Sequence, residues 1–200
     1  GGNLEFVASY LKSDYQPRPS LRWSCDTPQQ GVETPAAPAY GSRAAVSRKT
    51  FRLAVCTTGE YTEFHSALNN HPANVVDGLA AVTTAVNRMT GIYEQDLGVR
   101  LVLVGSNNQL IFINPATDPF SNTFSSAERD LNHTVIVQTI GQNAFDAGML
   151  LSTADGGIAF IGAVCTTAHK GKCFAGFPEP INDPFVVDYA AHELGHQFGG

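Results

Sequence analysis

Apolar residues along the chain recur with two periods, and those periods divide it into elements. Val75, Leu79, Val82, Val86, Met89 and Tyr93 alternate by four and three. This is the period of an amphipathic helix, and it predicts one from about Asn74 to Leu97, ended by Gly98. Short runs rich in β-branched and apolar residues predict strands at Phe51–Cys56, Val99–Val104, Leu110–Ile113, Met149–Ser152 and Ile158–Ile161. Between them, Thr57 to His65 reads as a loop with Gly59 in its turn, Asn107-Asn108 as a hairpin or tight loop, and Gly156-Gly157 as a turn. Ser125 and Glu128 form a capping box that opens a helix through Leu131, Val135 and Ile136 towards Ile140. Cys165 to Pro184 reads as a long loop.

A last helix follows that loop. Asp183 suits its N-cap and Pro184 its first position. Val187, Ala191, Leu194 and Phe198 make an apolar stripe, and at about 100° per residue it points away from His192 and His196. Gly199 suits the left-handed residue that ends a helix, and Gly195 leaves the turn between the histidines uncrowded. The polar face therefore reads His192-Glu193-Leu194-Gly195-His196, an H-E-x-x-H motif. Residues four apart sit one turn apart on the same face. Two imidazoles so placed can hold one zinc ion, with Glu193 close enough to take a proton from water at the metal. The match extends to H-E-L-G-H-Q-F-G, which fills four fixed positions of H-E-x-x-H-x-x-G-x-x-H; the fifth falls at 202, past Gly200. A catalytic zinc normally has three protein ligands, so the third ligand and any methionine turn are expected beyond the given residues.

Composition narrows the function classes. Apolar residues make up 43% of the 200, enough for a core, while only 15% are charged. The net charge of −6 and the lack of a basic patch argue against a nucleic-acid partner. No apolar run is long enough for a transmembrane segment. Neither a G-x-S-x-G elbow nor a Gly-rich phosphate loop ahead of a helix is present. Residues 1–49 form a Pro-rich pro-segment or linker ahead of a domain at 50–200. That segment can dock through Phe6, Tyr10, Leu11, Leu21 and Trp23, and Arg43, Arg48, Lys49 and Arg52 make its junction basic and exposed. His65 and His71 lack a partner at ligand spacing and read as exposed polar residues. Asn132-His133-Thr134 is a glycosylation sequon, meaningful only in a eukaryotic secretory context.

The four cysteines are Cys25, Cys56, Cys165 and Cys173, an even count that fits an exported, oxidised protein. Cys165 with Cys173 is the first pairing to expect, leaving Cys25 and Cys56 paired or free. Cys25 has a second reading: a pro-segment thiolate can occupy the open zinc position and hold a protease latent.

Three stretches, FRLAVCTTGEYTEFH, AVTTAVNRMTGIYEQDLGVRLVLV and DPFVVDYAAHELGHQFGG, together resemble the metzincin zinc metallopeptidases. Within that clan they are similar to the reprolysin-like, ADAM-related enzymes, and most to their exported bacterial branch. The resemblance covers roughly residues 50–200. It implies an α/β fold: a twisted mixed sheet with flanking helices and a zinc-binding active-site helix, the C-terminal subdomain lying outside the chain. It implies a secreted zinc endopeptidase acting on protein or peptide substrates, with His192 and His196 as metal ligands and Glu193 as general base. Calcium is a further ion common in the family. Substrate is expected antiparallel to an edge strand, here Ile158, Ala159, Phe160 and Ile161. The competing readings are a reprolysin-like domain that binds peptides without chemistry, against which the intact Glu193 speaks, and another zinc hydrolase with a glutamate ligand further on, against which Gly199 speaks.

Overall fold

The computed structural model describes residues 24–28 and 48–200. The expected docking residues Phe6, Tyr10, Leu11, Leu21 and Trp23 lie outside them. Five strands form one mixed sheet: β1 (Lys49–Thr57), β2 (Val99–Leu103), β3 (Ala147–Ser152), β4 (Gly156–Ala159) and β5 (Cys173–Gly176). The order is β2-β1-β3-β5-β4; β1, β2, β3 and β5 are parallel, and β4 pairs antiparallel with β5 at the edge. The α/β class and mixed sheet with flanking helices are therefore as expected.

Alternation along the strands builds two cores. Leu53 and Val55 of β1, with Met149 and Leu151 of β3, face one side; Ala54 and Cys56, with Leu150 and Phe174, face the other. The first side is covered by α2 (Val75–Asp96) through Val82, Val86, Met89 and Tyr93, most of the predicted stripe, and by the C-terminal helix. Asn74 caps α2, its side chain accepting from Asp77 N–H, and Gly98 follows at φ 65°. The second side is covered by α3 (Ser126–Ile140) through Val135 and Ile136. Ser125 Oγ caps α3 as predicted, accepting from Glu128 N–H at 3.2 Å. The Glu128 carboxylate accepts from Ser121 instead, so half of the capping box forms.

Several sequence expectations are corrected. Thr57–His65 is not a loop: α1 (Gly59–Leu68) starts there, with Thr58 Oγ1 accepting from Tyr61 N–H. The helix turns His65 inward, half-buried against Tyr61 rather than exposed. His71 keeps its polar role, bound to Asp77 at 2.9 Å. Leu110–Ile113 is no strand; Asn107–Leu110 is a 3-10 turn and Ile111 makes one bridge to Thr57. Asn107 is held inside by its amide, which bonds both backbone groups of Val55. Cys165–Pro184 is not all loop, because its residues 173–176 form β5, fully inside the sheet. Gly156 and Gly157 belong to β4 instead of a turn, while Phe160 and Ile161 lie past its end. Gly176 must be glycine: a Cβ there would lie 1.8 Å from the Ala154 carbonyl oxygen. The sequon is inaccessible, since Asn132 is fully buried and donates to Gly171 O at 2.7 Å. Arg52 is exposed as expected but tied by two nitrogens to Asp146 at the head of β3.

Burial pushes His65 down to about 4, against a partial offset from a hydrogen bond to the Pro180 backbone. The folded state therefore binds that proton less readily than the unfolded chain. Stability from neutral His65 is present above pH 6.5 and is lost as pH falls towards 4. Chemical denaturation across that window should show the loss, and His65→Gln should flatten it.

Candidate metal and active site

The C-terminal helix is one run with a widened turn. It begins with α4 (Asn182–Phe185), passes through a π turn at Val186–Ala190, and ends in α5 (Ala191–Gln197). Its N-cap is Ile181, with no side-chain cap; Asp183 lies in the first turn and pairs with Arg88. The π turn puts one extra residue into the spiral. The buried stripe is consequently Phe185, Val186, Ala190, Ala191 and Leu194, and the predicted Val187 is displaced outward.

This face fixes α5 on the sheet. Leu194 is fully buried, and Gln197 Nε2 donates to Gly148 O of β3 at 2.7 Å. Tyr93 of α2 donates to Ala191 O, and Phe198 packs edge-on against Phe51 and Tyr93. The loop after β4 closes the helix end: Gly162 N–H donates to His196 O and Val164 N–H to Gln197 O. Gly199 takes φ 93°, and the chain doubles back with Gly199 N–H on His196 O and Gly200 N–H on Gly195 O. The Gly200 carbonyl thereby comes within 2.7 Å of His196 Nδ1. A carbonyl only accepts, so Nδ1 carries the proton and Nε2 presents its lone pair outward.

His192 Nε2 lies 3.1 Å from His196 Nε2, with the rings almost perpendicular. Glu193 points between the helix and β4, fully buried, and its Oε1 has no hydrogen-bond partner. Residues 24–28 complete the site. They run parallel to the free edge of β4, with Asp26 N–H on Gly157 O and Gly157 N–H on Ser24 O. Thr27 Oγ1 accepts from Ala159 N–H at 2.8 Å and donates to Glu193 Oε2 at 3.1 Å. Cys25 Sγ stands 3.5 Å from His196 Nε2.

Cys25, His192, Glu193 and His196 thus offer donor atoms all within 4.8 Å of one another. Tetrahedral zinc needs edges of about 3.3 Å between two imidazole nitrogens and about 3.6 Å between nitrogen and thiolate sulfur. The two distances here, 3.1 and 3.5 Å, fit that ion. Burial also lowers His192, leaving the neutral imidazole that ligates metal, and pushes Glu193 up to about 7. A nearby cation would favour the charged form of that carboxylate and of the Cys25 thiol, which burial likewise raises.

A family model of the M12B metallopeptidases, reprolysin-like, matches residues 47–200. The chain belongs to that family. No curated protein matches it significantly. The family supports a metallopeptidase that normally binds zinc and takes protein or peptide substrates; the match does not address a bacterial branch.

Within this reprolysin-like chain, His192, Glu193 and His196 come together as their spacing suggested. The expected substrate edge divides: Ile158 turns into the core of the α3 side, Ala159 is buried with its amide on Thr27, and Phe160 is exposed. The expected disulfides do not form; all four cysteines are free. Cys173 is buried beneath the site helix and Cys165 is exposed, while Cys56 fills the opposite core as a small apolar residue. The cluster of imidazole and thiol donors suits zinc, and calcium finds no support among the described residues. Thr27, Tyr93 and Gln197 were missed as site residues. A lone threonine or buried glutamine carries no spacing signal. No helix among the described residues is long and apolar enough to cross a membrane.

Purified protein should carry about one zinc per chain by elemental analysis. His192→Ala should abolish binding, and Cys25→Ser should weaken it. Equal zinc in all three samples would show that the ion sits elsewhere.

Proposed function

We propose that this chain is a zinc-dependent endopeptidase whose described pro-segment residues hold it latent. The observation that supports this best is the convergence, beside one sheet edge, of two imidazole nitrogens and a buried, half-satisfied carboxylate. His192 and His196 would hold the ion. When bound, zinc supplies Lewis-acid polarisation of the scissile carbonyl and of the attacking water. Glu193 takes the water's proton at its carboxylate and returns it to the leaving amine. The backbone groups of Gly157, freed from residues 24–28, align the peptide antiparallel to β4. The segment itself runs the opposite way, parallel to β4, which presents its bonds in the wrong direction for cleavage.

Latency follows from the same contacts. Cys25 would supply a thiolate donor to a bound zinc in place of water, and the Thr27 hydroxyl occupies the Glu193 carboxylate. Cys56 is no objection, because a buried apolar cysteine needs no partner.

In the protein at its full natural length, Glu193→Ala should lower peptide cleavage about a thousandfold with zinc content unchanged. Normal cleavage would remove Glu193 from the mechanism, and tight peptide binding by the parent protein without chelator-sensitive cleavage would favour a non-catalytic binder. Thr27→Val in the unprocessed protein should raise basal cleavage roughly tenfold, since one hydrogen bond to a carboxylate is lost. Unchanged basal activity would show that the hydroxyl contributes nothing to latency.

A further inference from the structure

Beyond the end of β4, a cavity of ≈ 250 Å³ is lined by Arg129 of α3, Ala159, Phe160, Ile161 and Pro28. Pro28 lies three residues after Cys25, so a chain laid along β4 with one residue at the metal reaches this cavity about 10 Å further on. The docked segment shows that such a chain delivers a residue there.

Arg129 is the charged residue of the cavity lining, and a second cation, Lys172, stands near the Phe160 ring that lines it. Phe160 stacks flat on His169, ring centroids 3.9 Å apart at 8°, and is fixed in place by that contact. The Arg129 guanidinium and the Lys172 ammonium each stand 5.9 Å from the Phe160 ring centroid. Both cations share a single carboxylate: Asp130 lies 2.8 Å from Arg129 and 3.3 Å from Lys172. The two cationic side chains are only 13% and 17% exposed, whereas Asp130 is 45% exposed. Solvent therefore screens the anion more than the cations. Arg129 spends Nε and one terminal nitrogen on Asp130, so donors of its five remain for a second carboxylate.

We infer that this cavity is a specificity subsite for an acidic side chain, Asp or Glu, of the peptide substrate, with Arg129 as the determining residue and Lys172 as its support. The inference rests on the endopeptidase reading. For a substrate antiparallel to β4, the C-terminal end of that strand faces residues before the scissile bond. The acidic residue would then be the third one before it.

The test uses peptides that differ only at that position, carrying Glu, Gln or Lys, on the full-length protein freed of its pro-segment. Cleavage is read as kcat/KM. Binding is read separately by fluorescence anisotropy on the Glu193→Ala protein. Glu should exceed Gln by roughly fivefold in both, a typical effect for one partly exposed ion pair. Arg129→Gln should erase that difference, the Glu peptide losing more than the Gln peptide, and Arg129→Glu should make Lys the preferred residue. Cleavage without any Glu preference would overturn the subsite and leave the peptidase intact. A Glu preference in binding with no peptide cleaved would uphold the subsite and sink the peptidase reading. Equal loss for all three peptides in Arg129→Gln would mean that Arg129 only supports the fold, and would also overturn the inference.

Discussion

The site depends on how one short helix is seated. Leu194 and the buried amide of Gln197 hold α5 to the sheet, and Phe198 wedges its end between Phe51 and Tyr93. With that face committed, His192 and His196 lie on the open face of the helix, and His196 Nε2 meets Cys25 beside the β4 edge. The π turn makes the fit possible. It advances the spiral by one residue, so the apolar face of α4 and that of α5 meet the same core. The left-handed turn at Gly199 then finishes the geometry, because it brings a carbonyl onto His196 Nδ1 and leaves Nε2 as the outward nitrogen.

A second constraint comes from the sheet edge. Among the described strands β4 has a partner, β5, on one side only, and unpaired strand groups attract an extended chain. Residues 24–28 satisfy Gly157 and Ala159 by backbone and side-chain bonds, and the same register sets Cys25 beside the histidines and Thr27 on Glu193. Edge pairing, the Cys25–His196 contact and the Thr27–Glu193 bond are therefore one arrangement, and displacing the segment would release all three at once.

Much of this was legible in short-range patterns. The α2 stripe, the Ser125 cap and the His192–His196 spacing all depend on neighbours within a turn or two, and each lies where expected. What failed was short or long-range. β5 is four residues, too few to show a period, and is identified by pairing on both sides. α1 opens on a glycine whose loop-like signal hid the Thr58 cap. Nearness along the chain suggests pairing Cys165 with Cys173, yet the two differ in burial: one is exposed, the other inside the sheet.

The sequence by itself determined the donor set: two imidazoles and a carboxylate on one helix, in the pattern of a reprolysin-like metallopeptidase. Helical geometry enforces that constellation wherever the helix lies. Only the tertiary structure decided what meets it. The pairing of Ser24 and Asp26 with Gly157, and the approach of Cys25 to His196 across 171 positions, follow from a free sheet edge and a packed core. Such contacts leave no local pattern, because the residues that make them are brought together by burial and backbone pairing rather than by spacing.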